Sequence, residues 1–168
     1  MDLLYYPDEF LNKTVKEVDF SNPGFDVEEA KKEMLQIMYD KDGVGLSANQ
    51  VGLDAQLFVM GSKHAPDKSG IFINPKVLEA SEETVLDWEG CLSFPGVFVQ
   101  LRRPKWIVAQ FQDEKGEIKT GRIEDYDARC YLHELDHLLG ITYKDRSSKL
   151  KWDMATKKAK KRGFTINA

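Results

Sequence analysis

After Asp26, apolar residues recur at helical spacing: Ala30, Met34, Ile37 and Met38 share one face of a run that begins with Val27, Glu28 and Glu29. Asp26 can accept from the first free amides, and the glycines of Asp42-Gly43-Val44-Gly45 stop the run, which predicts a helix near 26–40. The period then changes. Residues 56–60, 70–78, 97–101 and 106–112 are short β-branched or aromatic stretches separated by Gly, Pro, Asn or Asp, and they read as strands. Asp113-Glu114-Lys115-Gly116 reads as a tight turn into a returning strand at 118–123, giving one hairpin. Asp125 is placed to cap a second helix whose apolar stripe is Ala128, Leu132, Leu135 and Leu139, with Gly140 as its stop. A third helix is predicted over 150–162. Without βαβ alternation, repeats or a linker, the pattern indicates an α+β domain with largely antiparallel sheets.

Composition narrows this picture. The 168 residues suffice for one core, and 42% apolar against 31% charged residues is a globular mixture. No run of about eighteen apolar residues exists, so a membrane span is not expected. Residues 1–7 lack the basic-then-apolar order of a secretory signal, and the expected compartment is the cytoplasm. Two cysteines, Cys91 and Cys130, are too few for a disulfide framework and suit roles as ligand, nucleophile or core filler. The net charge of −4 hides an asymmetry, because residues 147–162 hold seven bases against one acid. The chain therefore divides into a body, 1–146, and a basic tail, 147–168, and a monomer is expected.

His133-Glu134-Leu135-Asp136-His137 is an HExxH sequence on the second predicted helix, and two of the three histidines stand in it. The i, i+4 spacing puts both imidazoles on one face within reach of one metal ion. Glu134 lies beside them, placed to take a proton from an activated water and pass it to a leaving group. His64, in a polar turn, reads as a solvent-facing loop residue. A hydrolytic site needs a third ligand and an open position. Cys130 is seven residues from His137, roughly 10.5 Å along the helix axis, and reads as pocket wall or packing group. Cys91, in a loop or strand end flanked by Gly90 and Pro95, is the better thiolate candidate.

Three blocks, Gly43-Val44-Gly45-Leu46-Ser47-Ala48-Asn49-Gln50, Glu89-Gly90-Cys91-Leu92-Ser93 and the HExxH segment, together resemble the peptide deformylase family. Ser47 stands where the family usually has alanine, and Leu132 where it commonly has glutamine. The resemblance implies a deformylase-like fold, sheets packed around a central HExxH helix, with an N-terminal helix and a short basic C-terminal one. It implies removal of the formyl group from N-terminal formyl-methionine of newly made proteins. It assigns Cys91, His133 and His137 as metal ligands and Glu134 as acid-base group. Gln50 and the Leu92 N–H would bond the formyl oxygen.

The resemblance further implies Fe(II) as the favoured ion, with Zn, Ni or Co able to replace it. Val44 and Gly45 would offer backbone to an extended peptide, with Gly90 also at the substrate. Val44, Tyr126, Arg129 and Cys130 would line a methionine pocket. Arg103 is a candidate partner for Glu89 or Asp136 in a buried ion pair that orients the ligands. The basic tail would make a weak contact with ribosomal RNA. Two rival readings exist. A metallopeptidase would take its third ligand downstream of the HExxH, and a nucleic-acid-binding module would close its metal with four protein ligands.

Overall fold

The computed structural model describes residues 1–166. The Asp26 carboxylate accepts from the Glu29 amide and starts α1 (Val27–Asp40), which buries Ala30, Met34 and Met38 as the spacing predicts. Seven strands follow: β1 (Gly45–Ser47), β2 (Leu57–Met60), β3 (Gly70–Ala80), β4 (Thr84–Cys91), β5 (Phe94–Pro104), β6 (Trp106–Gln112) and β7 (Ile118–Glu124). All ladders are antiparallel, in a five-stranded sheet of order β1-β2-β3-β6-β7 and a separate β4–β5 hairpin. Helix α2 (Asp125–Leu138) carries the HExxH residues, and two further helices, α3 (Tyr143–Arg146) and α4 (Lys149–Lys161), complete the chain.

Side-chain alternation on the large sheet builds two cores. Leu57, Val59, Ile71 and Ile73 meet Met34 and Met38 of α1. On the opposite face Phe58, Ile107 and Ala109 meet Ala128, Tyr131 and Leu138 of α2, with Tyr131 edge-on to Phe58 at 5.1 Å. A third cluster joins Phe94, Val97, Val99 and Leu101 of β5 to Tyr143 and Trp152. Helix α2 is thus wedged between the sheet and the hairpin.

That wedge corrects the sequence reading of α2. Of the expected stripe, Ala128 is fully buried, Leu132 and Leu135 are partly buried, and Leu139 is 49% exposed. The helix instead buries Tyr131 and Leu138 together with its polar face of Arg129, His133, Glu134 and His137. Asp125 does not cap it. Glu124 occupies the N-cap position without a side-chain bond, and the Asp125 amide donates to Lys105 O, because the chain enters the helix directly from β7. Gly140 does end this segment, at φ +75° with its Cα so close to Asn12 O that a Cβ would lie 2.4 Å from it. Strands β1 and β4 and the short α3 were not legible beforehand. β1 is three fully buried residues, and β4 is exposed from Thr84 to Trp88 without alternation.

Candidate metal centre

The two imidazoles of α2 face the end of β4. Ring centroids of His133 and His137 are 5.0 Å apart, and Cys91 Sγ lies 3.4 Å from His137 Nε2. The potential ligand atoms of all three residues fall within 4.8 Å of one another. Cys91 gets there because β4 runs beside α2 and its register with β5 breaks between Glu89 and Cys91, just before the turn to Phe94. Cys130 stays out of this group. It is buried, with Sγ 3.7 Å from Val44 O.

The donor set and spacing fit a divalent ion. Tetrahedral bonds of about 2.3 Å to sulfur and about 2.0–2.1 Å to imidazole nitrogen hold S and N about 3.5 Å apart, close to the observed 3.4 Å. The Glu89 carboxylate meets His133 Nδ1 at 2.9 Å, which leaves Nε2 as the ring nitrogen for the centre. Burial opposes an imidazolium at His133, but the Cys91 sulfur and Glu89 outweigh it and hold the pKa well above the ordinary value. The space between these groups therefore favours positive charge. At His137 burial, aided by His133 and Arg103, depresses the pKa well below the usual range, giving the neutral ring a metal needs.

Glu89 is the hub of a buried network. Burial raises its pKa, yet hydrogen bonds from Arg103 and His133 more than reverse this and keep it well below the carboxylate range. Arg103 donates through Nε and Nη2 to the two Glu89 oxygens at 2.8 and 3.0 Å, and through Nη1 to Asp136 at 2.7 Å. The structure thus gives Arg103 both of the partners that the sequence offered as alternatives. Arg146, which had not been singled out, holds the outer side of Asp136.

A cavity of about 520 Å³ opens over Cys91 and His133, with Glu134, Gln50 and Leu92 on its wall. Glu134 is 4% exposed, and its Oε2 has no partner among the described residues. Burial, reinforced by Glu89 and opposed by His133, pushes its pKa up to about 7. A carboxyl group so placed exchanges protons readily near neutrality. Gln50 donates to Ser93 Oγ at 3.0 Å and lies 3.5 Å from Cys91 Sγ, while its Oε1 accepts from the amide and hydroxyl of Ser47. The Ser47 backbone amide can only donate, so it fixes which way the Gln50 side chain faces, and the Ser47 hydroxyl adds a second contact that alanine lacks. Sequence reading missed this role and that of Ser93.

Val44, Gly45, Gly90, Tyr126, Arg129 and Cys130 also line the cavity. Val44 and Tyr126 are 41% and 54% exposed at its mouth, whereas Cys130 is deep. Arg129 reaches the wall, but its guanidinium is spent on Glu89 and on carbonyls of the hairpin. Gly45 is tightly confined: a Cβ there would stand 2.7 Å from Glu134 Oε1 and 2.9 Å from Cys130 Sγ. Gly45→Ala must displace Glu134, and a shift of about 1 Å is expected to lower kcat/KM by about 10²-fold, measured beside thermal unfolding; unchanged turnover would contradict the contact.

A thiolate and two imidazoles around one ion position, with a buried carboxyl group beside an open cavity, define a mononuclear metal-dependent hydrolase. The family described as polypeptide deformylase matches residues 1–153, and the chain belongs to that family. It is 38% identical to the peptide deformylase of Wolbachia sp. subsp. Brugia malayi, over 96% of this chain and 94% of that protein. Among solved structures, the peptide deformylase of Thermotoga maritima superposes with a TM-score of 0.78 at 37% identity, covering 88% of this chain and 97% of that one. That of Legionella pneumophila gives 0.87 at 31% identity, with coverage of 96% and 94%.

Proposed function

We propose that this chain hydrolyses the formyl group from the N-terminal formyl-methionine of newly made polypeptides and releases formate. The observation that carries the reading is the unpartnered Oε2 of Glu134, buried at the cavity wall beside Cys91, His133 and His137. Cys91 Sγ, His133 and His137 would hold a divalent ion, which would supply Lewis acidity for the formyl carbonyl and make water a better acid. Glu134 takes a proton from the attacking water and returns it to the departing amine. The Gln50 amide and the Leu92 N–H donate to the formyl oxygen as charge grows on it. Val44, Gly45 and Gly90 receive the peptide main chain, and Tyr126 and Cys130 bound the space for the methionine side chain. An upstream sulfur at ligand distance disfavours the metallopeptidase reading, in which the third ligand lies downstream.

The decisive assay is formate release from a formyl-methionyl tripeptide by purified protein. Formate in proportion to free amine supports the reading; cleavage of an internal bond without formate contradicts it. Iron(II) is the ion that the deformylase reading favours, although one sulfur and two nitrogens accept Zn, Ni or Co as well. Activity of anaerobically purified protein is expected to fall on exposure to air or to a chelator, and to return with Fe(II). Activity indifferent to iron would overturn that assignment.

The chain acts as a monomer in which the body, 1–146, performs catalysis and the tail, 147–168, attaches weakly to ribosomal RNA. All seven bases of α4 and its end are exposed, while Trp152 packs 5.5 Å from Phe94. Deleting the tail would therefore open the β5 core, and charge neutralisation is the cleaner test. Gln at Lys157, Lys158, Lys160 and Lys161 should weaken ribosome binding and flatten its salt dependence; equal binding would refute the contact.

A further inference from the structure

Arg129 lies one helical turn before His133 and is 4% exposed. Its Nη1 donates to Glu89 Oε2 at 2.8 Å and Leu101 O at 2.9 Å, with Asp87 O at 3.4 Å, and its Nη2 donates to Val85 O at 2.7 Å. One guanidinium therefore binds α2 to both strands of the β4–β5 hairpin and to the carboxylate between them. Apolar packing does not hold β4 there, because Thr84 to Trp88 are all exposed. Cys91 ends that strand, two residues beyond Glu89.

We infer that Arg129 is a positioning residue that fixes the strand bearing Cys91 against the helix bearing His133 and His137 and keeps Glu89 turned to the His133 ring. The planar fork suits the task, since Nη1 meets Glu89 and the Leu101 carbonyl while Nη2 reaches Val85 O, and the one nitrogen of a lysine ammonium cannot occupy both places. Arg103 grips both Glu89 oxygens from β5, and Arg129 adds a second bond to Oε2, so Oε1 remains on His133 Nδ1. The role differs from that of a pocket wall: Arg129 acts on the spacing of the ligands, not on the substrate. It rests on Cys91, His133 and His137 being the ligand set.

The test uses Co(II)-loaded protein and reads the thiolate-to-cobalt absorption band and the rate of Co(II) loss to a chelator. Arg129→Met keeps the stem and removes the fork, Arg129→Lys keeps the charge alone, and Val99→Ala loosens the hairpin through its buried core, with stability measured for each by urea unfolding. Arg129→Met is expected to shift the band and to release the ion about 10–100-fold faster. Arg129→Lys should fall between it and the unmodified protein, and Val99→Ala should release the ion at the unmodified rate despite lost stability. Unmodified band and release rate in Arg129→Met, or equally fast release from Val99→Ala, overturn the inference. Should Arg129→Met fail to fold, Arg129→Lys decides, and release at the unmodified rate refutes the role. Absence of the band from the unmodified protein overturns the ligand set and this inference with it.

Discussion

Glu134→Gln is expected to lower kcat for formate release by about 10²–10⁴-fold while KM and bound metal hardly change. The carboxyl group is the only feature removed, because glutamine has nearly the same shape and can occupy the same confined position beside Gly45. Its orphaned Oε2 and a pKa pushed up to about 7 show that burial leaves it uncompensated in the fold. A side chain retained at such a cost to folding should not be missed by stability when it is neutralised. Turnover lost together with stability would point to a structural role; turnover retained would end the acid-base assignment. Steady-state kinetics, metal content and urea unfolding on one preparation separate these outcomes.

Arg103→Ala should give the largest loss of stability, about 3–5 kcal/mol by urea unfolding. Arg103 is 6% exposed and supplies three hydrogen bonds, two to Glu89 and one to Asp136. Removing it strips two buried carboxylates of a shared cation and leaves Arg129 and His133 to face Glu89 and Arg146 to face Asp136. Because Glu89 orients His133, metal retention should fall as well. A loss under about 1 kcal/mol would place the pair in the class of weak, exposed ion pairs.

Helices α1, α2 and α4 and most of the large sheet were legible because their signals are local. Asp26 caps α1 with its own side chain, and the turn at 113–116 joins β6 to β7 in the expected hairpin. The HExxH spacing needed only the helical repeat. Cys91 is different in kind: its approach to His137 spans 46 residues and depends on β4, a strand with neither alternation nor buried apolar residues. Residue type and flanking turns could nominate that sulfur, but only the fold brings it within 3.4 Å of the ring. Arg129 was read as pocket wall because a guanidinium one turn from His133 has an evident local neighbour in the cavity. Its actual partners, Glu89 and three carbonyls of β4 and β5, lie on strands that no periodicity of α2 could announce. Ser47 was read by size, and its amide and hydroxyl found their partner only because the 3-10 turn Ala48–Val51 brings the Gln50 side chain back over it.

The coordination of the ion is the claim on which the chemistry turns, and metal-edge X-ray absorption of the anaerobically purified protein reads it directly. One sulfur near 2.3 Å, with imidazole nitrogens near 2.0–2.1 Å, is the predicted shell, and Cys91→Ala should erase the sulfur contribution. A shell of nitrogen and oxygen alone in the unmodified protein would contradict the account.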